Sequence, residues 1–395
     1  MKQVKLGEIA TIYNGNSINQ SVKNQKYMND VPGWNYIATK DVGVDGKITY
    51  QNGVIIPYSE KGFRIAPAGS VFVCSEGGSA GKKTAVLQED VCFGNKLFAI
   101  VNDKGLYNEK YLFYYTRFER FREQFKLLAT SLMGGISVKN FSAIKVPLCS
   151  LQDQHRIVSR IEELFSQLDS GVETLKKTKE QLKVYRQAVL KEAFSHINEY
   201  NIIRNVSTLV TSGSRGWAKY YSNSGAIFVR IGNLTRTGID IDFKDTQFVE
   251  LPDKAEGVRS KLLPNDVLVS ITADLGSIGL VPDNIDEAYI NQHIALVRFN
   301  NPNQGKFMAY YLRSDYGQKE LLKNKRGAGK LGLGLDDIRD SRVPIVTDDM
   351  ASSIVAEIES RLSVCDSIEK TIDTALQEAE ALRQSILKQA FEGGL

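Results

Sequence analysis

RQAVLKEAF occupies residues 186–194, and RQSILKQAF occupies residues 383–391. The same helix-forming phrase, without Pro or Gly, is written twice at a spacing of 197 residues. Sliding the chain by that spacing lays residues 155–194 on 352–391 without a gap. Fourteen of the forty positions are identical, among them Ile157, Ile161, Asp169, Arg186, Leu190 and Phe194. A period this long is not a solenoid unit; it is a duplicated half-protein. Shorter matches fill the space between. SVFVCS (70–75) pairs with DVLVSI (266–271), KYLFYYTR (110–117) with KFMAYYLR (306–313), and Val146-Pro147 with Val343-Pro344. The loops between these matches diverge, as loops do when they carry specificity on a shared scaffold.

Residues 151–198 and 347–395 read as two long helices. Apolar residues recur every three or four positions from Ile157 to Val189, with one gap of seven, and from Ile354 to Ile386, a coiled-coil-like stripe with stutters. About 40 residues at ~1.5 Å each make rods of roughly 60 Å. A lone rod cannot bury its stripe, so the two are expected to pack on each other, antiparallel. The predicted fold class is α+β with an internal pseudo-two-fold duplication. Globular α/β domains at 1–150 and 199–346 alternate with helices at 151–198 and 347–395. The coiled-coil seam and the surface that docks a protein partner are assigned together to Ile157, Ile161, Leu164, Leu168, Leu182, Arg186, Leu190 and Phe194. In the second copy they are Ile354, Ile358, Leu362, Ile372, Leu382, Arg383, Leu387 and Phe391.

Several function classes drop out. No run of about 18 apolar residues exists to span a bilayer, and MKQVKLGEIA lacks the apolar core of an export signal. A cytoplasmic protein is expected. Four scattered cysteines (Cys74, Cys92, Cys149, Cys365) offer no C-x-x-C pair, and three histidines make no metal cluster. SEGGSAGKK (75–83) fails as a phosphate loop, having Glu76 where the first Gly belongs and Lys83 where Ser or Thr belongs. GAGKLG (327–332) fits G-x-G-x-x-G, yet a basic helical run precedes it rather than a strand. No nucleophile elbow or zinc-protease motif appears. Asp41, Glu76 and Asp274 read as surface or capping carboxylates. No catalysis by the chain itself is expected.

Charge is unevenly placed. Residues 1–150 hold 19 basic and 12 acidic residues, residues 200–346 hold 19 and 16, and residues 347–395 hold 4 and 10. Basic residues recur in Gly/Ser/Asn-rich stretches at equivalent places in both halves, such as TSGSRGWAKYY (211–221), RIGNLTRTG (230–238) and KNKRGAGK (323–330). Such stretches suit DNA: Gly allows close backbone approach, Ser and Asn bond phosphates or base edges, and Arg grips guanine. The modest excess also fits an ordinary solvated surface, so charge alone leaves both open.

VKLGEIATIYNG at the start, ISVKNFSAIKVPLCSLQDQHRIV and LGLDDIRDSRVPIVTDDMASSIV at the domain ends, the two helix ends and the terminal EGGL together resemble the specificity subunit of type I restriction–modification enzymes. The likeness covers essentially the whole chain. It implies that each domain is a target recognition domain reading half of a bipartite, asymmetric site in double-stranded DNA. It implies helices that set the gap and dock two methyltransferase subunits, joined by motor-nuclease subunits in a phage-defence complex. S-adenosylmethionine, ATP and Mg are then expected on partner subunits, with none in this chain. Candidate DNA contacts in the first domain are Asn14, Asn16, Lys40, Ser75, Ser79, Lys82, Lys83, Lys96 and Lys139. In the second they are Ser214, Arg215, Arg230, Asn233, Arg236, Ser277, Gln292, His293, Arg326 and Lys330. The residues by themselves leave two rivals: a coiled-coil scaffold that does not bind DNA, and the recognition region of a fused methyltransferase–nuclease.

Overall fold

A computed structural model describes residues 1–28, 31–129, 135–213, 215–252, 258–323, 325 and 332–394. The chain forms two compact units, Met1–Leu175 with Thr374–Leu395, and Lys176–Asp373. Each unit therefore combines one globular domain with part of each long helix.

In the first unit the principal sheet runs Thr11–Asn14, Leu97–Val101, Val71–Cys74, Thr84–Val86, antiparallel throughout. The second unit repeats it with Ser207–Ser212, Ile294–Phe299, Val267–Ser270 and Ile278–Leu280. VFVC and VLVS are apolar or uncharged at every position because both faces of the strand are covered. Val71 and Val73 enter a core shared with the helices, whereas Phe72 and Cys74 enter a second core with Ile37 and Phe93. Val267 and Val269 part from Leu268 in the same way. The period of two thus sorts one strand between two cores.

A smaller sheet in each unit contains one parallel pair, Tyr36–Ile37 against Cys92–Phe93 and Ile227–Val229 against Ala288–Ile290. Its fourth strand differs: Ile65–Ala66 pairs with Val91–Phe93 in the first unit, but Tyr221–Ser222 pairs with Gln247–Val249 in the second. The halves diverge in this smaller sheet.

The Val-Pro phrases end short strands, Lys145–Leu148 paired with Lys2–Lys5 and Arg342–Pro344 paired with Tyr200–Ile202. A helix follows each, Leu151–Phe194 and Asp348–Glu392. Ser150 caps the first, its Oγ accepting from the Asp153 amide at 3.1 Å; Thr347 caps the second, accepting from the Met350 amide at 3.3 Å. LQDQ and TDDM are thus two spellings of one start signal.

Within the second unit the helices run antiparallel. Lys179 meets Asp373 at 2.6 Å, Arg186 meets Asp366 at 2.7 Å and Glu369 at 3.0 Å, and Arg361 meets Glu192 at 2.9 Å. Within the first, Arg383 pairs with Asp169 and lies over the Phe165 ring, 5.1 Å from its centroid. Leu182 and Ile372 are buried and Leu168 is half-buried; Ile157 and Ile161 belong to the first unit's core and Ile358 to the second's, with Leu164, Ile354 and Leu362 half-buried against those cores.

Two expectations need correction. Leu382 is 49 % exposed, and Ala379, Ile386 and Ala390 are the buried residues there. The coil stripe drifts, so a period counted in sequence places Leu382 one step off the seam. Leu190, Phe194, Leu387 and Phe391 are not surface for a partner. They are buried in domain cores. Phe391 meets Tyr111 and Tyr115 at ring-centroid distances of 5.2 and 5.1 Å, and Phe194 meets Phe307 and Tyr311 at 5.5 and 5.4 Å. Each helix ends by pushing its Phe onto the repeated Tyr/Phe helix, Glu109–Arg117 or Gly305–Arg313.

Candidate nucleic-acid interface

Sheet topology brings the divergent Gly-rich loops together in each unit. The loop after Cys74 is tied to the turn before Leu97 by the Ser75 amide donating to the Lys96 carbonyl at 2.9 Å. Its counterpart is the Ile271 amide donating to the His293 carbonyl, also at 2.9 Å. Residues 75 and 96, and residues 271 and 293, distant in sequence, become neighbours by the same bond in both halves.

In the first unit this junction gathers cations. Lys83 Nζ donates to the Thr39 carbonyl at 3.0 Å, which sets Lys83 beside exposed Lys40. Lys82 is exposed, Ser79 half-buried, and exposed Lys96 forms an ion pair with Glu76 at 2.9 Å. Lys23, absent from the sequence-based candidates, joins them 4.6 Å from the Tyr36 ring centroid. Burial, and after it Lys40, hold its ammonium below the usual lysine range. The signal for Lys23 was present in the Asn-rich stretch NSINQSVKNQK (16–26). Asn14 and Asn16 are bound elsewhere: Arg64 Nη1 donates to Asn14 Oδ1 at 2.7 Å, and the Arg64 amide to Asn16 Oδ1 at 2.8 Å. They fix the 62–64 loop and its Arg64, a second cation sequence reasoning missed. Lys139 is exposed on the short helix Val138–Ser142, just past Ile136, whose amide donates to the Ser75 carbonyl at 3.1 Å.

In the second unit the junction is more polar than basic. His293 Nδ1 lies 2.6 Å from Thr272 Oγ1, and its Nε2 lies 2.9 Å from Gln292 Nε2. Arg236 Nε donates to Asp274 at 2.7 Å, and Ser277 Oγ donates to the other carboxylate oxygen at 2.8 Å. The hydrogen bond from Arg236 holds the Asp274 carboxyl below its ordinary value. Arg230 pairs with Asp245 at 2.8 Å beside a cavity of about 400 Å³ that Asn233 and Asn291 also line. Arg215 is exposed. Ser214, Arg326 and Lys330 lie outside the described residues.

Three candidates are braces rather than surface. Ser75, Asn233 and Ser277 are 5, 5 and 1 % exposed. Asn233 accepts from the Arg230 amide at 2.8 Å and donates to the Asp242 carbonyl at 2.7 Å, closing its own turn. Their small polar side chains read as ligand groups in sequence, but the same chemistry closes tight turns. Asp41 likewise caps the Ala38 amide at 2.9 Å. With Glu76 on Lys96 and Asp274 on Arg236, the three carboxylates serve three separate loops.

Two sheets, a repeated topology and paired long helices define a duplicated α+β protein whose variable loops cluster at equivalent junctions. Residues 1–184 match the family model of the type I restriction modification DNA specificity domain. The Type I restriction enzyme EcoBI specificity subunit of Escherichia coli is 24 % identical over 431 aligned positions, covering 100 % of this chain and 86 % of that protein. A solved chain from work on complex assembly and conformational transition of the type I R-M system superposes with a TM-score of 0.78 at 17 % identity, covering 100 and 98 % of the two chains. The HsdS subunit from Thermoanaerobacter tengcongensis gives 0.57 at 17 % identity, covering 100 and 97 %. Over residues 1–184 the chain carries the likeness to that DNA specificity domain, and over most of its length it is similar to type I restriction enzyme specificity subunits. Among the described residues, no helix is long and apolar enough to cross a membrane.

Proposed function

We propose that the chain is the DNA-reading, non-catalytic subunit of a cytoplasmic type I complex, each domain recognising one half of a bipartite double-stranded site. The observation that carries this reading is the repeated junction. One backbone bond joins the same two loops in both units, while the side chains on those loops differ, Lys82, Lys83 and Lys96 against Asp274, Gln292 and His293. A shared frame with different reading groups suits two unlike half-sites. Lys and Arg at the loop tips would hold phosphates, and a few side chains would reach base edges.

The paired helices suit a spacer, since their register is held by the Lys179, Arg186 and Arg361 ion pairs. Their surface, balanced in charge on the first helix and acidic on the last, suits two methyltransferase subunits, with motor-nuclease subunits in the full assembly. S-adenosylmethionine, ATP and Mg would reside on those partners.

Methylome sequencing with and without the gene tests the reading. A single two-part adenine-methylation motif should vanish on deletion, and replacing residues 200–346 should change one half of it. Inserting about seven residues into both helices keeps the seam aligned and adds ~10 Å, which should alter the gap alone. An unchanged methylome, together with no salt-sensitive duplex binding, rejects the proposal.

A further inference from the structure

The first unit contains a cationic cavity that its counterpart in the second unit closes. About 270 Å³ in volume, it is lined by Lys82, Glu119, Arg122, Glu123, Lys126 and Gln384, with Gly81 at its wall. Glu119 and Glu123 line it, but among the described residues neither forms an ion pair within 4 Å of Lys82, Arg122 or Lys126. Arg117, the last residue of its helix, and Arg122 hold buried nitrogens, Nη1 and Nε, without a hydrogen-bond partner among the described residues. Buried guanidinium N–H groups are ordinarily satisfied, and leaving two unmet costs free energy. Burial, then the like charges of Arg122 and Arg383, hold Arg117 below the usual arginine range, with Glu380 and Asp45 opposing them. Arg383 is itself engaged by Asp169, and Arg120 lies 3.9 Å from Glu392.

The second unit shows what this place looks like when filled. Arg313 stands for Arg117, and it donates to the Arg236 carbonyl. Gln318 stands for Arg122; its amide donates to the carbonyls of Gly276 and Leu312, both at 2.8 Å. Gly276 stands for Gly81: each accepts a left-handed turn, φ 80° and 67°, and donates its amide to the preceding strand end, Ser270 or Cys74. A neutral amide therefore satisfies the fold here. The added cation in the first unit answers a different need.

We propose that this cavity is a phosphate-binding site, in which an oxyanion accepts from Arg122, with Lys82 and Lys126 supplying charge. Guanidinium forks match phosphate geometry, and an anion would relieve the mutual repulsion of the arginines. The phosphate is either a DNA-backbone group, which rests on the reading proposed above, or a free phosphate ion.

The test uses the full chain and Arg122→Gln, a replacement the second unit already accommodates at Gln318. Inorganic phosphate, at ionic strength matched with chloride, should raise the thermal midpoint of the wild type and leave the variant's unmoved. In duplex-DNA titrations across salt, the variant should bind about 3- to 10-fold more weakly with a salt slope lower by about one. Loss in the phosphate arm alone assigns a free ion, and loss in the DNA arm alone assigns a backbone phosphate. No difference between wild type and variant in either arm overturns the site. If the wild type binds no duplex, the DNA-reading proposal is damaged and the phosphate arm judges the site by itself. If Arg122→Gln does not fold, Lys126→Gln on the exposed rim is read in the same two arms.

Discussion

Asp266 is the most deeply committed charge of the second unit. It is 1 % exposed, takes a bidentate pair from Arg298 at 2.8 and 2.7 Å, and also accepts from the Leu263 amide at 2.7 Å. That hydrogen-bonded pair raises the Arg298 guanidinium above its usual value. Ser70 holds the equivalent place in the first unit, its hydroxyl donating to the Pro67 carbonyl at 2.6 Å. Removing one partner of a buried pair strands the other, so Asp266→Ala should cost about 3 kcal/mol. Because Arg298 keeps some solvent contact, the loss falls at the lower end of such cases. Urea unfolding followed by fluorescence measures it; a cost below about 1 kcal/mol would show the pair to be ornamental. Phe194 and Phe391 teach a different lesson at this scale. Sequence matching found them as equals but assigned them to partners, because identity between copies does not say which surface a side chain meets.

The long helices were legible as elements. Their lengths, caps and antiparallel sense follow from period, Pro placement and the need to bury a stripe. Gly171 is the one internal glycine of the first, and a Cβ built there meets nothing within 4 Å. The second copy has Ile368 at that position. Gly171→Ala should therefore stabilise the helix by about 0.5–1 kcal/mol, since the folded state accepts the methyl and the unfolded chain loses freedom. Differential scanning calorimetry should show a higher midpoint; a lower one would mean that the glycine is used. Leu382 escaped the reading because a stripe drifting against the 3.5-residue period shifts a position across the seam boundary. Within the strands, VFVC and VLVS were recognisable, but their sharing between two cores was not, since burial on both faces erases alternation.

At the scale of the whole molecule, Thr374–Leu395 belongs to the unit built around residues 1–150. Ile386, Leu387, Ala390 and Phe391 complete the core that Tyr111, Tyr115 and Phe118 line. Deleting residues 374–395 should strip hydrogen-exchange protection from the first domain's Glu109–Arg117 helix while Val267–Ser270 stays protected. Equal loss in both units would contradict the division. The charge asymmetry, basic domains and an acidic last segment, was plain in composition, as was the duplication.

Composition, the 197-residue repeat and the apolar periods determined by themselves that this is a duplicated α+β protein with paired long helices and loop-borne cations. Those are properties of local spacing and burial preference. Only the tertiary structure decided that each helix end is a domain anchor, that Ser75, Asn233 and Ser277 brace turns, that Lys23 and Arg64 belong with the loop residues, and that Arg122 lines an open cavity. Each of these depends on which distant group fills the space beside a side chain, and spacing along the chain does not encode that.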